Sequence, residues 1–184
     1  MSVRKEVLFI HGGGDGGYQA DEALATSLGK HLGANYNVRY PKMPEDKASP
    51  DFGWGKKIGN EIAAIPGELI LIGHSLGASM LLKYLSESAV NRPIRGLFLL
   101  ATPFWSGEED WQKGLKLRED FASALPKDVP IFLYHNRDDE EIDISHLAEY
   151  EAKLPQAIVR AQATGGHQFN NDLTSVARDI HGLA

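Results

Sequence analysis

The sequence contains no cysteine among its 184 residues. This excludes disulfides, zinc sites built on thiolates and a cysteine nucleophile. Basic residues are also fewer than acidic ones. The sequence has 19 lysines and arginines and 25 acidic residues, which gives a net charge of −6 at pH 7. Nucleic acids and anionic membrane surfaces are bound by basic patches, and no lysine or arginine cluster stands out here. We therefore expect neither kind of partner.

Long hydrophobic runs are missing as well. The first apolar run, residues 7–10, is far shorter than the apolar region of a signal peptide, and no stretch reaches the length of a membrane span. Hydrophobic residues make up 42% and charged residues 24% of the sequence, as in ordinary globular proteins. We expect a cytoplasmic protein that forms one domain over residues 1–184.

Short apolar runs alternate with segments of helical periodicity along the chain. The predicted strands are 6–10, 37–40, 69–72, 94–101, 131–135 and 157–161, and the predicted helices are 18–32, 51–65, 76–88, 117–125, 145–153 and 171–181. This alternation, without repeats, predicts an α/β fold with a doubly wound, mostly parallel six-stranded sheet and helices on both faces. The longest connection, 102–129, is a candidate for a small cover.

The third predicted strand meets a helix through Gly73-His74-Ser75-Leu76-Gly77, which has the G-x-S-x-G pattern of a nucleophile elbow. A serine in this sharp turn points its hydroxyl out above the sheet, and the two glycines let strand and helix pass closely. The start of the following helix offers free N–H groups to a developing negative charge. The context predicts that Ser75 is a nucleophile; the alternative is a glycine-rich turn that only packs well.

A nucleophilic serine needs a neighbouring base, and the base needs a carboxylate that holds its tautomer. We expect His167 to be the base, because it follows a predicted strand through a Gly-Gly turn that can direct the ring back over the sheet edge. His135 is a weaker rival, and His74 is expected to point away from Ser75 into the packing. The acid is expected among the four consecutive carboxylates of 138–141, with Asp138 and Asp139 as the candidates.

The first predicted strand runs into residues 11–17, which contain five glycines. We expect one oxyanion donor to be the Leu76 N–H and the other to come from this loop, with Gly13 first and Gly12 next. Phosphate binding is the competing interpretation, but the loop lacks the lysine and serine of a P-loop, and no acid ends the second strand to bind a ribose. All these stretches follow strands and should meet at one edge of the sheet.

These motifs together resemble the α/β-hydrolase superfamily, in order and over nearly the whole chain. The small size is similar to that of the compact serine hydrolases of the retinoblastoma-binding protein 9 family, which have no large lid. That family's acid is followed shortly by an apolar residue and often proline, which fits Asp139 and Ile142, with Asp143 in the proline position. The resemblance implies Asp139 as the acid between Ser75 and His167, and hydrolysis of an ester or related acyl bond through an acyl-enzyme.

Four aromatic residues after the second and fourth strands, Phe52, Trp54, Phe104 and Trp105, are placed to line a substrate cleft, and we expect Trp54, Phe104 and Trp105 to bind substrate. Ordinary core packing explains them equally well. The short connection after the fourth strand favours a small acyl substrate over a triglyceride. We expect no metal and no cofactor. Thioesterase and peptidase activities stay open, and the alternative to an enzyme is a non-catalytic hydrolase fold that binds a protein or a small ligand.

Overall fold

The computed structural model describes residues 4–183, and its six strands form one sheet in which every neighbouring pair is parallel. The strand order is β2-β1-β3-β4-β5-β6. The strands are β1 (Lys5–Ile10), β2 (Tyr36–Arg39), β3 (Leu69–His74), β4 (Ile94–Leu100), β5 (Ile131–Asn136) and β6 (Ile158–Gln162). The predicted doubly wound α/β fold is confirmed.

Helices cover both faces of this sheet. The helices are α1 (Gly17–Leu32), α2 (Trp54–Ala64), α3 (Leu76–Glu87), α4 (Phe121–Ala124), α5 (Ser145–Lys153) and α6 (Thr174–His181). Alternate residues of the central strands point to opposite faces, so Leu8 and Ile10 belong to one apolar core while Val7 and Phe9 belong to the other. The first core packs against α2, α3, α4 and α5, and the second against α1 and α6.

Three predicted helices are shorter than expected, for local reasons. Residues 51–53 form a turn because Gly53 has a φ of 80° and the Asp51 carboxylate accepts the Gly53 and Gly55 N–H groups, so α2 begins at Trp54. Residues 169–171 all have positive φ, which delays α6 to Thr174. In the segment 102–129 only α4 is α-helical, and four apolar residues of the segment are buried in the first core: Leu115, Leu117, Phe121 and Leu125.

The carboxyl ends of the strands carry the segments singled out by the sequence. The glycine-rich loop follows β1, Ser75 follows β3, the acidic run 138–141 follows β5 and the Gly-Gly turn follows β6. In a parallel sheet these ends lie on the same edge. No helix within residues 4–183 has the length and apolar character needed to cross a bilayer.

Candidate active site

Ser75 lies in a strained turn between β3 and α3. Its φ of 51° and ψ of −124° are rare for a residue with a side chain, and its N–H donates a 2.8 Å hydrogen bond to the Leu100 carbonyl oxygen. A Cβ at Gly73 would lie 2.5 Å from the Ala78 Cα, and one at Gly77 would collide with the Ile10 carbonyl. Only glycine fits at these two positions, which explains the spacing of the motif.

His167 is held by a carboxylate on the neighbouring loop. Its Nδ1 lies 3.0 and 3.1 Å from the two carboxylate oxygens of Asp139, and both side chains are at most 3% exposed. Asp139 Oδ1 also accepts the N–H groups of Glu141 and Ile142, at 2.9 and 2.8 Å. Burial favours the neutral acid, but these hydrogen bonds outweigh it and hold the pKa of Asp139 below its usual value. Asp139 is thus a fixed negative charge beside the ring.

The other predicted candidates in this region have different partners. Asp138 accepts the N–H groups of Gly165 and Gly166, at 3.2 and 2.9 Å, and so anchors the turn before His167. His135 lies 2.7 Å from the Ile142 carbonyl oxygen and 3.4 Å from Asp139 Oδ2, which places it behind the acid loop. Burial lowers the pKa of His135 despite these partners. The structure therefore brings Asp139, and neither of these two residues, against His167.

Ser75 and His167 line the same small cavity, which has a volume of about 150 Å³. Across residues 4–183, no direct hydrogen bond joins the Ser75 hydroxyl to the His167 ring. The His167 Nε2 instead lies 3.5 Å from Glu141 Oε2. Catalytic hydrogen bonds are often long in a free enzyme and shorten when substrate binds. Within residues 4–183 the His167 Nε2 makes no short hydrogen bond to another protein group.

Two backbone N–H groups are available beside Ser75. Gly13 packs so closely on Leu76 that a Cβ would lie 2.5 Å from Leu76 Cδ2, and a Cβ on Gly12 would lie 3.4 Å from Ser75 Cβ. In the part of the chain that the structure describes, neither the Gly13 nor the Leu76 N–H donates to another protein group. Unpaired donors beside a nucleophile are what a developing oxyanion requires.

His11 fixes the loop that carries Gly13. Its Nδ1 donates to the Gly12 carbonyl oxygen at 2.6 Å, and its Nε2 accepts the Met43 N–H at 2.9 Å. Burial lowers the pKa of His11, which keeps the ring neutral and able to accept at one nitrogen while it donates at the other. His11 is therefore a structural hydrogen-bonding residue of this loop.

A buried pair that the sequence did not indicate lies beneath His167. Asp21 Oδ2 is 2.7 Å from His74 Nδ1 and accepts the Gly12 N–H at the same distance, and Asp21 Oδ1 accepts the Gln168 Nε2 at 3.1 Å. His74 Nε2 donates to the His167 carbonyl oxygen at 2.9 Å. The two His74 nitrogens therefore each face an acceptor oxygen, one from the Asp21 carboxylate and one from the His167 backbone. The pair joins α1, the elbow and the loops that carry Gly13 and His167.

We expect the protein to become less stable to unfolding when the Asp21–His74 pair is broken. Asp21 and His74 are each 1% exposed, and burial opposes the Asp21 charge, but its hydrogen bonds still lower its pKa. Asp21→Asn puts an NH₂ group where a carboxylate oxygen faces the donors of His74, Gly12 or Gln168, so a buried donor loses its acceptor and we expect a loss of about 1–3 kcal/mol in the free energy of unfolding. Urea unfolding measures it, with exposed Glu22→Gln as the matched control, expected within about 0.5 kcal/mol of wild type. Equal free energies of unfolding of Asp21→Asn and Glu22→Gln would contradict a stabilising role of the Asp21–His74 pair.

The surroundings of His167 also predict the pH dependence of any reaction that uses it as a base. Burial disfavours the imidazolium, but the hydrogen bond and charge of Asp139, with the charges of Glu141 and Asp21, outweigh it and raise the pKa. The base must be neutral to accept a proton, so activity should fall as pH drops through a value above about 6.5. Removing a negative charge lowers this pKa, so Glu141→Gln should shift the acid limb of kcat/KM to lower pH.

The size of that shift should depend on salt, because the Glu141 side chain is 65% exposed. The measurement is kcat/KM against pH at low and high ionic strength. Glu149→Gln removes an exposed carboxylate from α5 and is the matched control, for which we expect no shift. An acid limb that stays in place or moves to higher pH in Glu141→Gln would contradict the electrostatic account.

The three predicted substrate-binding aromatics are not brought together. Trp54 lines a second cavity of about 220 Å³, which is also lined by Gly13, Leu76 and Phe52. Phe104 packs edge-on against Tyr150, with ring centres 5.3 Å apart. Trp105 donates its indole N–H to Ser79 Oγ at 3.1 Å and packs against Trp111. Phe104 and Trp105 thus lie outside both cavities, because the chain after β4 packs on α3 and α5.

Residues 4–183 contain no group of three or more histidine, aspartate or glutamate side chains arranged to hold a metal ion.

Comparisons with known structures agree with this fold. The meta-cleavage product hydrolase CumD from Pseudomonas fluorescens IP01 superposes with a TM-score of 0.73 at 14% identity, covering 100% of this chain and 91% of that chain. SOBER1 from Arabidopsis thaliana gives 0.70 at 19% identity, covering 98% and 99%. Est1E from Butyrivibrio proteoclasticus gives 0.71 at 14% identity, covering 98% and 88%. At these identities the likeness shows the fold alone, and it confirms the α/β-hydrolase fold.

Sequence comparisons go further than fold. The embryogenesis-associated protein EMB8 from Picea glauca is 35% identical over 109 residues, which are 58% of this chain and 22% of that protein. The match therefore spans about a fifth of the length of that relative. The model of a family described as serine hydrolase matches residues 17–175. That range covers most of the chain and includes Ser75, Asp139 and His167, and the chain belongs to the serine hydrolase family.

Proposed function

We propose that this hydrolase cleaves an ester or a related acyl bond of a small substrate through an acyl-enzyme on Ser75. The observation that carries the proposal is the buried contact between Asp139 and His167, 3.0 Å long, at the cavity that Ser75 also lines. Asp139 is fixed by backbone donors, so it can hold the His167 Nδ1–H and direct Nε2 to the serine. We propose that one domain carries this whole site.

The first half of the reaction forms the acyl-enzyme. Ser75 Oγ bonds to the acyl carbon while its proton passes to His167 Nε2, and the carbonyl oxygen becomes an oxyanion held by the Gly13 and Leu76 N–H groups. Collapse of this intermediate breaks the bond to the leaving group, which takes the proton from His167. The strained backbone of Ser75 keeps its hydroxyl above the helix start throughout.

The second half repeats these steps with water. Water gives a proton to His167 Nε2 and adds to the acyl carbon, the oxyanion is held by the same donors, and the bond to Ser75 breaks. Ser75 Oγ recovers its proton from His167 as the acid is released. Asp139 stays ionised in both halves, since its role is to orient the ring and stabilise the imidazolium.

Trapping the intermediate tests this proposal. Wild-type protein mixed with p-nitrophenyl butanoate and quenched rapidly should carry a butanoyl group on the peptide that contains Ser75, as seen by mass spectrometry. Ser75→Ala should carry none and should release p-nitrophenol only at a residual rate, on the order of a million-fold below that of wild type. A loss of less than about a hundredfold in Ser75→Ala, or no turnover of any oxygen ester or thioester by wild type, would overturn the proposal, and the second result would favour a non-catalytic binding role.

A further inference from the structure

Two separate cavities flank the glycine-rich loop beside Ser75. The cavity of about 150 Å³ is lined by Ser75, His167, Glu141 and Gln168, among others. The cavity of about 220 Å³ lies on the other side of Gly12, Gly13 and Asp15, which line both. Its remaining lining residues are Gly14, Met43, Pro44, Glu45, Lys47, Phe52, Trp54 and Leu76. The loop that carries one proposed oxyanion donor therefore divides the space around the nucleophile.

The proposed reaction, on which this inference rests, decides which part of the substrate enters which cavity. The leaving group must take a proton from His167 Nε2, so it has to lie in the cavity that His167 lines. The carbonyl oxygen must face the Gly13 and Leu76 N–H groups. The acyl chain then extends past these donors, away from His167. That direction leads into the cavity lined by Leu76 and Trp54.

The walls of this second cavity are apolar. Met43 and Trp54 are almost fully buried, and Phe52 and Leu76 are half-buried. The Trp54 indole N–H already donates to the Pro44 carbonyl oxygen at 2.9 Å, so the ring presents carbon atoms to the cavity. The charged residues Asp15, Glu45 and Lys47 are exposed and stand at the rim. An apolar acyl group would fit this lining, whereas a polar one would leave its polar atoms unpaired.

The volume limits the length of the acyl group. A water-sized group occupies about 30 Å³ in a liquid, so a cavity of about 220 Å³ holds roughly seven such groups. We propose that this cavity is the acyl site and that the enzyme prefers esters of apolar carboxylic acids with about four to seven carbons, straight-chain or with one aromatic ring. Phe52 is one wall of this cavity, so the size of its side chain should change the preferred length.

Phe52 is the best position for changing the preferred acyl length. Its ring is a half-buried wall of the cavity, and its backbone hydrogen bonds do not depend on the ring. Its N–H donates to the Ser49 carbonyl oxygen at 3.0 Å, and its carbonyl oxygen accepts the Asp46 N–H at 3.2 Å. Phe52→Ala should lengthen the cavity and Phe52→Trp should shorten it. Trp105→Phe is the matched control, since that ring lies outside both cavities.

The test is kcat/KM for the p-nitrophenyl esters of acetate, butanoate, hexanoate, octanoate, decanoate and laurate. For wild type we expect the maximum at butanoate or hexanoate and a fall of about tenfold or more by decanoate. Phe52→Ala should shift the maximum to a longer ester, Phe52→Trp should shift it to a shorter one, and Trp105→Phe should leave it in place. Melting temperatures show whether each variant is folded.

Two results separate failure of this inference from failure of the proposed function. If hydrolysis depends on Ser75 but both Phe52 variants keep the wild-type chain-length profile, or if wild-type kcat/KM still rises at laurate, the acyl-site assignment is wrong and the catalytic proposal stands. If Ser75→Ala lowers the hydrolysis of every ester by less than about a hundredfold, the catalytic proposal is wrong. The acyl-site assignment rests on that proposal and is then wrong as well.

Discussion

Ser75→Ala is expected to lower kcat for p-nitrophenyl butanoate on the order of a million-fold, because it removes the atom that forms the covalent bond. His167→Ala should cost nearly as much, since a serine hydroxyl without a base is a poor nucleophile at neutral pH. The double variant should be little worse than either single one, because the two groups act in the same step. The measurement is kcat with purified variants of verified fold.

The residual activity of these variants is informative as well. The Gly13 and Leu76 N–H groups stay in place when either side chain is removed, so some acceleration over the uncatalysed reaction should persist. A loss of less than about a hundredfold in Ser75→Ala would mean that another group performs the attack. Full additivity of the two single losses would mean that Ser75 and His167 do not work together.

Asp139→Asn is expected to lower kcat about ten-thousand-fold with little change in the fold. The amide can still accept the Glu141 and Ile142 N–H groups, but its NH₂ group cannot accept the His167 Nδ1–H. The ring then takes the tautomer with its proton on Nε2, where it cannot accept one from Ser75. The loss of the negative charge also removes the partner of the imidazolium.

Asp138→Asn is the matched control, because it makes the same change one residue earlier. Asp138 accepts the Gly166 N–H at Oδ1 and the Gly165 N–H at Oδ2, and the asparagine oxygen can keep one of these two bonds. We expect less than about a tenfold loss of kcat, since within residues 4–183 no hydrogen bond joins the Asp138 carboxylate to the His167 ring. A larger loss in Asp138→Asn than in Asp139→Asn would reverse the assignment of the acid.

The sequence predicted those parts of the site whose signals are local. The strand, the turn and the helix around Ser75 follow one another within a few residues, and the two glycines are required by backbone contacts that the pattern already implies. The parallel sheet follows from the alternation of apolar runs and helical segments, which each element carries in its own sequence. These features depend little on what the rest of the chain does.

The residues alone place the carboxylate partner of His167 in the acidic run 138–141, but they do not identify which of the four side chains it is. Four consecutive carboxylates each have a different partner in the fold: Asp138 binds the Gly-Gly turn, Asp139 the His167 ring, Glu140 the His167 N–H and Glu141 the outer side of the ring. Adjacent side chains in a loop point in different directions. Their directions follow from how the loop after β5 meets the loop after β6.

The buried Asp21–His74 pair beneath His167 could not be predicted from the sequence for the same reason. Asp21 is 53 residues from His74 and 147 residues from Gln168 along the chain, so only the folded structure brings them together. One signal was present, since Asp21 lies on the buried stripe of α1 with Leu24 and Leu28. A charged residue on such a stripe needs a buried partner.

The central claim is that Ser75 is the reactive hydroxyl, and labelling with a fluorophosphonate probe tests it most directly. Peptide mapping of labelled wild type should locate one adduct, on the peptide that contains Ser75. Labelling should be absent in Ser75→Ala and strongly slowed in His167→Ala. An adduct on another serine, or labelling that persists in Ser75→Ala, would contradict the account.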